Sequence, residues 1–289
     1  MTEVREPSNV IELVETIQHY YARTNLFETA PLRNNKEVMD LFLAIPSILE
    51  QADFYEVEAD FVAAAWDAVW NMADGKASVD IRFDSDHRLP SKISAFWTPK
   101  MHMTLDDENK YPALYLAYEN TEGWVDMVAV SPYVTPLRLG SYNTKTNSPI
   151  YGVEDIPLDE EKDRFHQVLL VGGFCSLINQ PGFVTTEPAG SRQQRRAAQR
   201  SGGYSPTAWH RISWNIGEAV KAKLTRDEPM RCMPLHYTRG HWRKAEEGWN
   251  NIERRKDGLW YQWIEGYWSG HPAFGIKRSY HAPKLARAG

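Results

Sequence analysis

Residues 191–203 read SRQQRRAAQRSGG, with arginines at Arg192, Arg195, Arg196 and Arg200 and no carboxylate. Their spacing of i, i+3, i+4 and i+8 would set all of these guanidinium groups on one face of a helix. A planar guanidinium matches phosphate with two parallel N–H donors, so an arginine face suits a polyanion better than a lysine face would. So polar a stretch has nothing to bury on its own and is expected to order only against such a partner. The competing reading is a solvated linker, or a strap lying on an acidic surface.

Further along, Arg239, His241, Arg243 and Lys244 are interleaved with aromatic residues in the run His236 to Lys244, HYTRGHWRK. Cations alternating with rings can pair with phosphates while the rings stack on bases, each stack contributing roughly 1–3 kcal/mol. The same run holds the groups that metal-independent RNA cleavage needs: His236 and His241 as base and acid, and Arg239 to stabilise phosphate. In a regular strand those two histidines point to opposite faces, so joint action requires a bulge at Gly240. A zinc site would draw on Cys232, His236 and His241, with His271 as fourth ligand, but the spacing fits no common zinc module. His87 and His102 lack an acidic or thiol partner at ligand spacing and are expected at the surface. No Gly-x-Ser-x-Gly nucleophile motif, Gly-x-Gly-x-x-Gly loop or Gly-Lys-Ser/Thr phosphate loop occurs, so neither a catalytic residue nor a cofactor is expected.

The charge distribution agrees with these positions. The 289-residue chain carries a net charge of −5, yet residues 1–189 hold 14 Lys+Arg against 30 Asp+Glu, and residues 190–289 hold 19 against 8. A balance of −16 is thus followed by one of +11, the electrostatic footprint of a nucleic-acid-binding region, or else of two parts that attract each other. The basic third also holds seven of the 11 tryptophans, from Trp209 to Trp268, which are expected to supply most of a small core and leave one or two rings for ligand. Two cysteines far apart, Cys175 and Cys232, exclude a disulfide framework and fit a reducing, cytoplasmic setting. The longest apolar run, Val168 to Cys175, is too short to span a bilayer, so a soluble protein without a membrane partner is expected.

The elements that must carry these residues follow from periodicity. Val10, Ile11, Leu13, Val14 and Ile17 have helical spacing behind a cap at Ser8. Val38 to Leu49 continues that period, with Pro46 expected to kink or interrupt it. A third helix is expected to open at Asp53 and run through Trp70, ending at Asp74-Gly75. From Ser78 the period becomes two, over Val79 to Phe83, Ile93 to Trp97, Leu114 to Tyr118 and Trp124 to Val130, with a hairpin turn at Asn120 to Gly123. An apolar helix then fills much of 158–189. Runs 234–243 and 258–268 read as two antiparallel strands, and Arg239-Gly240-His241-Trp242-Arg243 is echoed by Glu265-Gly266-Tyr267-Trp268-Ser269. Gly240 and Gly266 would mark a bulge, or a close approach of another backbone or a ligand.

The expected fold class is therefore α+β: N-terminal helices on an antiparallel sheet, a central apolar helix and a small β-rich basic domain. The expected divisions are an acidic domain over 1–157, the central helix and turn over 158–189, an Arg-rich linker over 190–203 and the Trp-rich domain over 204–289. The order of Asn179-Gln180-Pro181 at the end of an apolar helix, Arg195-Arg196-Ala197-Ala198, and His236 to Arg243 resembles a family of phage and mobile-element proteins. The resemblance covers roughly 158–285 and brings no activity and no catalytic residue with it. It implies a bacterial host cell and makes interaction with host factors conceivable. The expected function is non-catalytic binding of nucleic acid, RNA or single strands foremost. The alternatives are an inhibitor that binds a host protein and a metal-independent ribonuclease.

Overall fold

The computed structural model describes residues 6–23, 36–73, 87–99, 101–104, 110–120, 122–132, 134–144, 148–151, 158–188, 193, 209–238, 240–250, 252–255, 257–264 and 266–277. Over these the protein is mixed α and β, with five helices, several sheets and more strands than helices. It forms two compact units, Met1–Val62 with Arg82–Ser213, and Ala63–Ile81 with Trp214–Gly289.

In the first unit, helix α1 (Val10–Arg23) is capped by Asn9 rather than Ser8. Asn9 Oδ1 accepts from the Glu12 amide at 3.0 Å, and the Glu12 carboxylate reaches back to the Ser8 amide at 2.8 Å. Two donors at the helix start are thereby satisfied reciprocally. Helix α2 (Lys36–Gln51) runs through Pro46 without ending. Burial of Phe42, Ile45 and Leu49 on one face offsets the hydrogen bond that Pro46 cannot make. Tyr21 stacks on Phe42 at 4.3 Å, joining the two helices over a common core.

Asp53 does not open a helix. It begins strand β1 (Asp53–Val57), and helix α3 (Ala59–Ala73) starts only after Glu58, whose carbonyl accepts from the Phe61 amide at 3.0 Å. Phe54 and Tyr55 are both buried although they point to opposite sides, which suits a central strand covered on both faces. The sheet places β1 between β2 (Ile93–Trp97) and β10 (Trp209–Trp214), parallel to each. Beyond β2 comes an antiparallel succession of β5 (Leu114–Glu119), β6 (Trp124–Ser131), β7 (Val134–Asn143) and β8 (Ser148–Tyr151), and β9 (Val184–Pro188) lies outside β10. A separate ribbon pairs β3 (His102–Thr104) with β4 (Lys110–Pro112).

Phe54, Ala95, Trp97, Leu114, Leu116, Val128 and Val130 pack against α1 and α2. On the other face Tyr55 stacks on Phe96, and Phe96 and Phe61 both meet Phe174 of α4 (Leu158–Asn179). Every α4 residue from Val168 to Leu177 is buried, as a helix apolar all round requires. The hairpin at Asn120 forms as its sequence indicates: Asn120 Oδ1 accepts from the Glu122 and Trp124 amides, and Gly123 takes a φ of 85°. His87, expected at the surface, is buried, and its carbonyl accepts from the Tyr142 hydroxyl at 2.8 Å. His102 is half-buried on β3, 3.8 Å from Glu6. Residues Val79 to Phe83 lie outside the described residues.

The second unit holds α5 (Glu218–Asp227), a single 3₁₀ turn (Pro229–Arg231), and strands β11 (Pro234–Thr238), β12 (His241–Lys244), β13 (Ile252–Arg254), β14 (Trp260–Ile264), β15 (Tyr267–Ser269) and β16 (His271–Ile276). They form two three-stranded sheets, β15–β11–β16 and β12–β14–β13. Leu224, Leu235, Trp268, His271 and Ala273 are buried here, whereas every described residue of β12, β13 and β14 is half-buried or exposed.

Candidate nucleic-acid interface

The two aromatic runs face each other in one register. Tyr237 pairs with Trp268 on β11 and β15, and Trp242 pairs with Trp263 on β12 and β14; both ring pairs are T-shaped with centroids 5.2 Å apart. Tyr237, Gly240 and Trp242 on one run therefore correspond to Trp263, Gly266 and Trp268 on the other, related by a local twofold of the ladder. The echo in the sequence is this symmetry. Each glycine sits beneath a ring of the opposing run: a Cβ on Gly266 would stand 2.7 Å from Tyr237 Cζ, and one on Gly240 would enter the Trp263 ring and lie 3.1 Å from the Ile264 carbonyl oxygen. Both glycines thus serve close approach, by a ring rather than by a ligand.

On sheet β12–β14–β13 directly opposed residues share a face. Trp242, Lys244, Tyr261, Trp263 and Glu253 occupy one face; His241, Arg243, Gln262, Ile264, Ile252, Trp260 and Arg254 occupy the other. Each face carries guanidinium groups over rings. Arg255 lies 4.7 Å from the Trp242 centroid and 5.8 Å from that of Tyr261. On the opposite face Arg243 lies 5.3 Å from Trp249 and donates to Gln262 Oε1 at 2.8 Å, and Arg254 lies 5.9 Å from Trp260. Such contacts set a cation over a ring without neutralising it. The turn before β14 is fixed by Asp257, which accepts from the Tyr261 hydroxyl at 2.7 Å and the Leu259 amide at 3.0 Å. Those two donors, the hydroxyl foremost, hold the Asp257 carboxyl below its usual range, and the same bond pushes the Tyr261 phenol up.

Among the described residues, Arg243, Lys244, Arg254 and Arg255 make no ion pair with a carboxylate. The cations of α5 and its following turn do: Lys221 with Glu218, Arg226 with Asp227 and Arg231 with Glu228. In the first unit Arg211 meets Glu56 at 3.2 Å, a guanidinium of the basic third held by a carboxylate of the acidic stretch. Glu246, Glu247, Glu253 and Asp257 accompany the sheet, so charge there is nearly balanced and its distinguishing property is cationic groups laid on open rings. Of the seven tryptophans in the basic third, Trp209, Trp214 and Trp268 are buried, leaving Trp242, Trp249, Trp260 and Trp263 partly open. More rings face outward than a small core was expected to spare.

Of the residues singled out in the sequence, His241, Arg243 and Lys244 come together on β12. Arg192, Arg195, Arg196, Arg200 and Arg239 lie outside the described residues. His236 stands on β11, in the other sheet from His241, with Nδ1 2.9 Å from the Pro234 carbonyl oxygen. A carbonyl only accepts, so that nitrogen carries the ring proton. Cys232, His236, His241 and His271 are not gathered: Cys232 Sγ contacts Thr225 and Glu228, and His271 Nδ1 accepts from the Ala273 amide at 3.1 Å. Among the described residues no three His, Cys, Asp or Glu side chains converge on a metal position. Arg254, Arg255 and Trp249 were missed. The pair Asp257-Gly258, a turn-forming dipeptide, is the signal that could have found the first two, because a turn there folds the residues before it alongside β14.

Comparison with known protein families, curated proteins and solved structures finds no match. No match supports the likeness of residues 158–285 to phage and mobile-element proteins that the short motifs suggested. No described helix is long and apolar enough to cross a membrane.

Proposed function

We propose that the protein binds single-stranded nucleic acid, RNA foremost, without transforming it. The observation that carries this reading is sheet β12–β14–β13, where Arg243, Lys244, Arg254 and Arg255 make no ion pair with a carboxylate among the described residues and the aromatic rings beneath the three arginines are partly open. Unpaired bases offer a π-face to such rings and phosphates to such cations; a duplex keeps its π-faces internal. The arginines at 192, 195, 196 and 200 add phosphate contacts in this reading. The register is the same on both sides of Gly240, with Thr238 opposite Tyr267 and His241 opposite Ile264, so His236 and His241 belong to opposite faces of the run, which favours binding over cleavage. The phage-type motifs support a setting in the cytoplasm of a bacterial host.

The test uses the full-length protein and a fluorescently labelled 20-nucleotide RNA, with the matching duplex as comparison. Binding should favour the single strand and fall with rising salt, and the RNA should remain intact. The log–log slope should be about −0.7 per phosphate neutralised. Arg195→Glu with Arg196→Glu should flatten that slope by roughly one to two units. A salt-independent affinity, equal affinity for duplex, or RNA shortened during incubation would overturn the proposal.

A further inference from the structure

We propose that the Arg255 guanidinium occupies a nucleobase seat on the Trp242–Tyr261 platform, and yields it to a base of the bound strand. This deepens the binding reading above and rests on it. Trp242 on β12 and Tyr261 on β14 are diagonal neighbours on one face, because Trp242 pairs with Trp263 and Tyr261 with Lys244. Diagonal side chains in an antiparallel pair stand roughly 7–8 Å apart, close enough for one flat group to touch both rings. The flat group there now is Arg255, at 4.7 and 5.8 Å from the two centroids. Arg255 is exposed and follows the last residue of β13, so its side chain can leave without disturbing the ladder.

A nucleobase has the same requirements as the guanidinium, being planar, polarisable and rimmed with hydrogen-bonding groups, but it offers a larger face. It therefore competes for the same rings. Once displaced, Arg255 is positioned to meet the phosphate beside the seated base, so ring and cation act on successive parts of one nucleotide. Tyr261 is flanked by Lys244 on β12 and Glu253 on β13. Like charges repel, so the phosphate stays clear of Glu253 and is drawn between Lys244 and the displaced Arg255. Tyr261 is held in place by its hydrogen bond to Asp257, which keeps the platform formed when Arg255 departs.

A phosphate-only role for Arg255 makes the opposite prediction, and base-free chain separates the two. The full-length protein, Arg255→Ala and Trp242→Leu are titrated with labelled A10 RNA and with an abasic chain of the same length, at low salt and at about 0.5 M salt. Screening at about 0.5 M leaves stacking as the main contribution. The surface cation–ring contact that a base must displace corresponds to about 2- to 5-fold in affinity. Arg255→Ala should therefore bind A10 about 2- to 5-fold more tightly than wild type at high salt, while binding the abasic chain more weakly at low salt. Trp242→Leu should bring A10 down towards the abasic chain at high salt, with circular dichroism confirming that it folds. If wild type binds neither chain at low salt, the nucleic-acid reading itself falls. If it binds both but Arg255→Ala weakens them equally at each salt, the seat is refuted and the binding reading stands.

Discussion

Replacing Gly240 with alanine isolates the close approach of the two aromatic runs. Gly240 has no positive φ, so what it supplies is space: an added methyl would enter the Trp263 ring and crowd the Ile264 carbonyl. Overpacking of this kind costs about 1–3 kcal/mol, and a displaced Trp263 would also lose part of its edge-to-face contact with Trp242, about 0.5–1.5 kcal/mol. A loss near 2 kcal/mol is expected. Alanine otherwise gains roughly 0.5–1 kcal/mol over glycine within a strand, so the sign should change once the obstruction is gone. Trp263→Leu removes the ring and leaves the Ile264 carbonyl oxygen, at 3.1 Å, as the remaining tight contact. Urea unfolding of wild type, both single variants and the double variant, followed by near-ultraviolet circular dichroism, closes a double-mutant cycle. The coupling should be about 2 kcal/mol, with Gly240→Ala neutral or stabilising once the indole opposite it has given way to the shorter leucine side chain. Equal costs in both backgrounds would mean that Gly240 answers to the backbone and not to the ring, and the paired aromatic-over-glycine arrangement would lose its basis.

Two further outcomes follow from titratable groups. Cys175 is fully buried and burial pushes its thiol up to about 12, whereas Cys232 is half-exposed. At pH 8 a thiol reagent should modify Cys232 in the folded protein and reach Cys175 only in denaturant; comparable rates at both would show α4 to be open to solvent. Asp257 has its folded pKa depressed, so its contribution is complete above the unfolded carboxylate value of about 4 and is lost as pH falls through the lower folded value. The difference in melting temperature between wild type and Asp257→Ala should therefore be constant from pH 5 to 7, on the order of that seen at any exposed turn, and shrink in acid. A difference that grows on acidification would contradict the hydrogen bonds assigned to that carboxylate.

What the sequence disclosed was mostly local. The α1 periodicity, the Asn120 turn and the facing runs around Gly240 and Gly266 all lie within short stretches whose partners are near in sequence. At Pro46 propensity was set against burial, and Phe42, Ile45 and Leu49 keep the helix from ending there. Asp53–Val57 misled because five residues are too few to separate a period of two from one of 3.6, and the alanine-rich stretch behind it is helical. Its parallel pairing with Trp209–Trp214 had no local signal at all. At the candidate interface the β12 cations were legible from their alternation with aromatics. Arg255 was not, because its partner rings, Trp242 and Tyr261, come from two other strands.

The seating of β10 beside β1 also constrains how the polypeptide is made. While it emerges from the ribosome, the residues ahead of β10 can assemble β2, β5, β6 and β7, yet β1 stays hydrogen-bonded on one side only until Trp209–Trp214 arrives. During that interval a strand bearing Phe54, Tyr55 and Val57 presents a bare edge, the kind that recruits neighbouring chains into aggregates. A nascent chain stalled or cut between 188 and 209 should therefore be insoluble rather than half-active.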